Sequence, residues 1–363
     1  MSSLALSSDP VALTAALVDV PSPSHHESRI ADAIEQALRE LEGVEVKRVS
    51  NTVVARTQRD LGSRVILAGH VDTVPIADNV PHHMEGDMLY GCGSVDMKSG
   101  LAVYLHTFAR LANSPDLKRD LTLICYEGEE VSSEYNGLGI LEREAPEWLV
   151  GDLALLGEPS GGVIEAGCQG TIRVKVTGHG VRAHSARAWL GDNAAHRLAE
   201  VLTRVASYEP RTVTVEGCEY REGLNVVGLK AGVATNTLPD EAEMLVNFRF
   251  APDRTLDEAL EHLYGVLAVD GEHVTVEVDD AVGGARPGLD KPAAQALLDA
   301  VGGNFRAKFG WTDVSRFSTL AIPAVNYGPG DPGLAHKPEE HCPVDQITQV
   351  ADVLYRFCTS PVK

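Results

Sequence analysis

The sequence predicts an α/β protein, a mixed and mostly parallel sheet covered by helices, with an inserted α+β domain of ferredoxin-like order. Three observations lead there. Before residue 160, short and almost wholly apolar runs alternate with helical segments, the pattern of strands buried on both faces. Residues 171–278 then read strand, helix, strand, strand, helix, strand. After a Gly-rich stretch at 283–287 the helix-and-loop patterning resumes, which nests the second domain inside the first. This places 1–170 and 284–363 in one domain and 171–283 in the other. A chain of 363 residues, 44% hydrophobic, is ample for two cores.

In order along the chain, residues 11–20 have helical spacing that 21–24 break, and 28–41 make a second amphipathic helix. Residues 44–55 alternate like one strand. Runs at 64–69, 121–126 and 153–156 read as strands, and each runs directly into an acid or a histidine: His70, then Glu127 with Glu129 and Glu130, then Glu158. A fourth segment, 90–95, leads to Asp96 and a helix over 100–111. In the inserted domain, 171–177, 225–234, 243–250 and 273–278 read as strands, with 212–215 as an extra one. Residues 192–207 and 256–267 read as helices and 237–240 as a turn. A last helix is expected over 345–358.

A formal net charge of −21 repels phosphate backbones and anionic membranes, so neither is an expected partner. A small anionic substrate is still admissible, because a few arginines dominate within a Debye length. The six cysteines form no C-x-x-C pair, residues 1–10 lack the regions of a secretory leader, and no apolar run reaches membrane-spanning length. A cytoplasmic protein with reduced thiols is expected. There is no G-x-S-x-G elbow, and Tyr90-Gly91-Cys92-Gly93 lacks the third glycine and the lysine of a nucleotide loop.

The acids and histidines carry the chemistry. Ligands of α/β sheets bind outside the carboxyl ends of the strands, where His70, Glu127–Glu130 and Glu158 fall. His70 can offer one ring nitrogen to a metal while Asp72 takes the proton of the other. Asp96 is either a helix N-cap or a carboxylate shared by two metals. Of the adjacent Glu129 and Glu130, one can bind metal while the other reaches the water on it, and Glu127 competes for either role. Pro159 biases Glu158 towards an extended backbone. His336 sits in the polar loop 333–341. Together these residues supply two imidazoles and three carboxylates, with a spare glutamate, the donor set of a two-metal hydrolase.

His70-x-Asp72, the Gly91–Gly100 segment around Asp96, Glu129-Glu130, Gly157-Glu158-Pro159 and the late His336, in that order, resemble the zinc-dependent family of aminoacylases, glutamate-releasing carboxypeptidases, acetylornithine deacetylases and succinyl-diaminopimelate desuccinylases. The resemblance covers essentially the whole chain. It implies a zinc-exopeptidase-like catalytic domain with two zinc ions per subunit, cobalt being able to substitute. Asp96 would bridge both ions, His70 and Glu158 would complete one site, and Glu130 and His336 the other. Glu129 would be the general base and Asp72 would orient His70. The peptide after Asp96 would be cis. The inserted domain resembles the family's lid and dimerisation domain, implying a homodimer. Within it, Arg182–Arg187 and Gly191–Ala194 match the motif whose histidine, here His184, stabilises the oxyanion, and Asn236 and Arg249 match substrate-binding lid residues. Residues 308–317, 328–331 and 335–339 resemble the desuccinylases of the family, which implies an anionic N-acyl amino-acid substrate. Gln169 stands where some desuccinylases have an arginine, so Arg316 and Arg249 are the candidates to pair the substrate carboxylate. A deacetylase of the same family, a dinuclear aminopeptidase, and a metal-stabilised binding protein without the reaction are the alternatives.

Overall fold

The computed structural model describes residues 4–362, which divide into two compact units. The first holds the described residues up to 166 together with 287–306 and 313–362, and the second holds 167–286 and 307–312. These limits lie a few residues from those read in the sequence, and 307–312 joins the second unit.

The first unit is built on an eight-stranded sheet. In spatial order its strands are Glu45–Val49, Thr52–Arg56, Asp120–Tyr126, Arg64–His70, Leu153–Leu156, Ala324–Asn326, Ile164–Ala166 and Phe305–Ala307. The four from Asp120–Tyr126 to Ala324–Asn326 run parallel. Antiparallel strands flank them on both sides. Val65–Ala68, Leu121–Tyr126 and Leu153–Leu156 are buried, as their almost wholly apolar character requires. The Lys98–Leu111 helix packs on Arg64–His70 and between the Pro10–Val18 and Val344–Thr359 helices. Asp9 caps the Pro10–Val18 helix by accepting from the amides of Val11 and Ala12. The single strand expected over 44–55 is instead a hairpin. Ser50, at φ +54°, turns the chain back, and the pairing Val49↔Thr52 preserves the alternation through the turn.

The second unit is a four-stranded antiparallel sheet in the order Gly223–Ala231, Glu241–Phe250, Gly170–His179, Val274–Val282. This is the ferredoxin-like order read from the sequence. Ile172, Val174, Val176, Met244, Val246 and Phe248 form its core with Val201 and Val205 of the Ala199–Ala206 helix and Leu263 of the Leu256–Leu267 helix. Thr255 and Glu258 close a reciprocal capping box on the latter. Three details differ from the sequence reading. The 192–207 helix is two segments, Ala194–Arg197 and Ala199–Ala206. Thr212–Val215 pairs with Cys218–Arg221 in a separate hairpin and does not extend the main sheet. Thr237–Leu238, expected in a turn, forms a short ladder with Ala183–His184. The last two concern residues whose pairing partner is remote in sequence or supplied by a tight turn.

Candidate metal centre

Three adjacent parallel strands deliver their ends to one edge of the sheet. Arg64–His70 closes on His70, Asp120–Tyr126 runs into Glu127–Glu130, and Leu153–Leu156 runs into Gly157-Glu158. Asp96 enters just ahead of the Lys98–Leu111 helix, and the Asp96–Met97 peptide is cis. His336, at φ +64°, follows the Pro332–Leu334 turn.

Asp96 lies between two imidazoles. His70 Nε2 is 3.1 Å from its Oδ1 and His336 Nε2 is 3.4 Å from its Oδ2. His336 Nε2 is also 2.9 Å from Glu130 Oε1. Candidate donor atoms lie within 4.8 Å of one another in three groups: His70, Asp96 and Glu158; Asp96, Glu130 and His336; and His70, Glu129 and Glu130. The first two groups share Asp96. Mixed imidazole and carboxylate donors grouped around one shared carboxylate fit two borderline cations such as zinc.

The protein's own groups set strong electrostatic biases here. Burial raises the Glu129 carboxyl well above the usual range; His70 opposes this, and Glu158, Asp313 and Glu130 add to it. Burial and Asp96 raise Glu130. Burial alone would raise Asp96, but His336 and His70 hold it well below the ordinary value. Burial would lower His70, but its hydrogen bonds with Asp72 and Asp96 keep it well above. Asp96 holds His336 up at about 9. So many acids converging in a low dielectric call for positive charge between them.

The outer contacts explain the arrangement. His70 Nδ1 lies 3.0 Å from the backbone oxygen of Asp72 and 3.4 Å from its carboxylate. The sequence reading gave the carboxylate as the partner; the main-chain carbonyl is the nearer group. The Asp72 carboxylate also accepts from Ser24 Oγ at 2.8 Å and from the amides of Glu129 and Glu130, each at 3.1 Å. Glu127, left open in the sequence, turns away and accepts the Asn51 amide at 2.8 Å. Gly100 and Gly157 let two segments meet: a Cβ on Gly100 would lie 1.8 Å from the Gly157 oxygen. Helix and loop therefore carry Asp96 and Glu158 to one point.

One structural residue escaped the sequence reading. Glu340 is 2% exposed, and its carboxylate accepts from the amides of Gly93 at 3.0 Å, Val95 at 2.7 Å and Asp96 at 2.9 Å. Its only sequence signal is an acidic pair beside the His336 loop, since the contact spans 244 residues.

The substrate candidates are distributed over both units. In the first, Arg316 Nε donates to Asp313 Oδ1 at 2.7 Å, and Asp313 also accepts from Asn136 Nδ2 at 2.9 Å. In the second, exposed His184 accepts the Ala186 amide at 3.0 Å, and the Asn236 backbone oxygen accepts the Ser185 amide at 2.8 Å, which makes them neighbours. Arg249 is half-buried, and its Nε donates to Asn247 Oδ1 at 3.2 Å. Gln169 is buried, and its amide donates to the Arg221 oxygen at 2.6 Å.

Comparison with known proteins bears on this centre. The model of peptidase family M20/M25/M40 matches residues 66–360. Succinyl-diaminopimelate desuccinylase of Corynebacterium glutamicum is 60% identical over 98% of this chain and 97% of its own. The enzyme of that name from Gluconacetobacter diazotrophicus is 28% identical over 82% of this chain and 80% of its own. Among solved structures, aminopeptidase PepT of Bacillus cereus superposes with a TM-score of 0.79 at 19% identity, covering 96% of this chain and 97% of its own. The Bacillus subtilis YxeP protein, a dinuclear metal-binding peptidase of the M20 family, gives 0.71 at 16% identity and covers 96% of each. At such identities these two show the fold alone. The chain belongs to peptidase family M20/M25/M40.

Proposed function

We propose that this chain hydrolyses the amide of N-succinyl-LL-2,6-diaminopimelate to succinate and LL-2,6-diaminopimelate, with two zinc ions. The observation that carries the reading is its 60% identity, across 98% of the chain, to the desuccinylase of Corynebacterium glutamicum. Asp96 would be shared by both ions, with His70 and Glu158 completing one site and Glu130 and His336 the other, as their grouping supports. When bound, the ions would polarise the amide carbonyl and lower the pKa of the attacking water, a role cobalt is expected to fill as well.

Glu129 is the base in this reading. Its buried carboxyl, raised by burial and by neighbouring acids, takes a proton from water at one oxygen and returns it to the departing amine nitrogen. Asp72 accepts at His70 Nδ1–H, which leaves Nε2 as the donor atom turned to Asp96, and it pins the amides of Glu129 and Glu130. The assignments of His184 to the oxyanion, and of Asn236, Arg249 and Arg316 to the substrate, rest on the motif resemblance. A homodimer through the inserted domain is part of the same reading. Its edge strand Gly223–Ala231 exposes Val227 and Leu229, apolar groups that a second copy would cover. A cytoplasmic setting accords with six buried cysteines, none of them in a disulfide.

Turnover of N-succinyl-LL-2,6-diaminopimelate against N-acetylornithine by zinc-loaded enzyme, with a chelated control, tests the proposal. Preference for the succinyl substrate, lost on chelation, is expected. Activity on the acetyl substrate alone would retain the hydrolase and overturn the substrate.

A further inference from the structure

A buried cation without a counter-ion among the described residues marks a second place of interest at the far end of the central sheet. Arg119 is 1% exposed and heads the fully buried side chains by size. Its guanidinium stacks 4.3 Å from the centroid of the Phe357 ring, and Nη1 donates to the Phe357 oxygen. Nε has no partner. Burial pushes its pKa down, and no carboxylate among the described residues opposes that shift. The ring and a carbonyl at the end of the Val344–Thr359 helix account for one face and one N–H. They leave the buried Nε without an acceptor among the described residues, on the edge that a guanidinium uses to grip a carboxylate at two points.

Arg119 lines a cleft of about 400 Å³ together with Ser63, Asp152, Lys291, Ala296 and Pro323. Ser63, Arg119, Asp152 and Pro323 each immediately precede one of four consecutive parallel strands. The cleft therefore sits at the amino ends of the strands whose carboxyl ends carry His70, Glu129 and Glu158. The seven-residue strand Arg64–His70 separates the two places by ~20 Å. Arg119 and Lys291 are the cations of the cleft and Asp152 its acid, and Lys291 Nζ already lies 3.5 Å from Asp290 Oδ2. Asp152 Oδ2 is already occupied, accepting from Ser63 Oγ at 3.0 Å and the Arg64 amide at 2.8 Å. That balance suits a single negative charge better than a polyanion. Ala296 and Pro323 offer an apolar wall for a short aliphatic body.

We propose that this cleft binds a small carboxylate, held by Arg119, at a site separate from the metal centre. The ligand is an α-amino acid if Asp152 Oδ1 takes an ammonium, and a plain monocarboxylate if it does not.

Calorimetric titration of the whole enzyme with propionate, L-alanine and inorganic phosphate tests this, zinc-loaded and after chelation. Wild type is compared with Arg119→Met and Ala296→Trp. Saturable binding of propionate or L-alanine at millimolar concentration or below is expected. It should survive chelation and weaken at least tenfold in both variants. Tighter binding of L-alanine places an ammonium on Asp152, and equal binding gives the plain carboxylate. Absence of saturable binding, its loss on chelation, tighter binding of phosphate, or full binding by Ala296→Trp each overturns the proposal. Ala296→Trp fills the cleft and leaves Arg119 in place, so it decides the matter even if Arg119→Met does not fold.

Discussion

Asp72 Oδ1 accepts the backbone amide of Glu129 at 3.1 Å, so the end of one strand fixes the peptide that carries the proposed base. That peptide is held independently of its own side chain, which makes the side chain separable by mutation. Glu129→Gln keeps the volume and the backbone contact and removes the proton acceptor. Turnover is expected to fall ~10²–10⁴-fold, the usual contribution of a positioned acid–base group. Zinc content by elemental analysis should stay at the wild-type level. Turnover close to wild type by the Gln variant would remove Glu129 from the role.

Glu340 makes a different claim, because it touches none of the candidate donor atoms. Its three hydrogen bonds hold the Gly93–Asp96 backbone, and through it the Asp96 carboxylate. Glu340→Ala would strand buried amides, at about 1–3 kcal/mol for each group left unsatisfied. Glu340→Gln keeps one acceptor oxygen and presents an NH₂ group where another amide now donates. Zinc affinity, measured by titrating chelated protein, is expected to weaken ~10–100-fold in the Gln variant, as for other groups that orient metal ligands. An unchanged affinity would reduce Glu340 to a packing role.

Gly100 tests whether the meeting of helix and loop matters. A Cβ there would lie 1.8 Å from the Gly157 oxygen, and a backbone atom cannot rotate away as a side-chain tip could. Gly100→Ala therefore has to push the Lys98–Leu111 helix from the Gly157-Glu158 loop, separating Asp96 from Glu158. A stability loss of about 1–3 kcal/mol is expected from overpacking. A loss of zinc binding larger than that of an Ala-to-Val change elsewhere in the same helix is expected with it.

The contrast between these positions shows what the sequence could carry. His70, Glu129, Glu130 and Glu158 were legible because each follows an apolar run, and the carboxyl ends of adjacent parallel strands converge by topology. The ferredoxin-like order was legible because its strands alternate cleanly, as in Glu241–Phe250. Glu340 was not, since it acts through main-chain amides 244 residues away and leaves no periodic trace. The fate of Glu127 was likewise open: only the folded hairpin brings the Asn51 amide to its carboxylate. The hairpin itself hid inside 44–55 because a two-residue turn at Ser50 and Asn51 preserved the apolar alternation.

Asp120 supplies a test of the fold away from the centre. Burial would raise its carboxyl, but Thr57 Oγ1 at 2.6 Å, the amides of Leu61 and Arg59, and the charge of Arg64 bring it below the ordinary value. A carboxyl depressed in the folded state contributes stability above its unfolded pKa of ~3.9, and that contribution is lost as pH falls through the folded value. Asp120→Asn should thus be less stable than wild type at neutral pH, with the gap narrowing as pH is lowered through about 4 towards 3. Denaturant unfolding at several pH values reads this. A gap that widens in acid would reverse the sign and the assignment.

Metal removal connects the centre to the stability of the first unit. Asp96, Glu129, Glu130 and Glu158 converge with two imidazoles, and burial with like charge already raises Glu129 and Glu130. Cations bound there relieve this repulsion in the folded state only, since the unfolded chain has no assembled site. Zinc at a thousand times its dissociation constant should therefore stabilise the protein by about 4.1 kcal/mol per site, and chelation should lower the melting temperature accordingly. Glu158→Gln should bind less zinc yet melt no lower than wild type once both are chelated, because it removes one of the repelling acids. A chelated Glu158→Gln variant that melts well below chelated wild type would mean that Glu158 supports the fold by its own contacts rather than through the ions it holds.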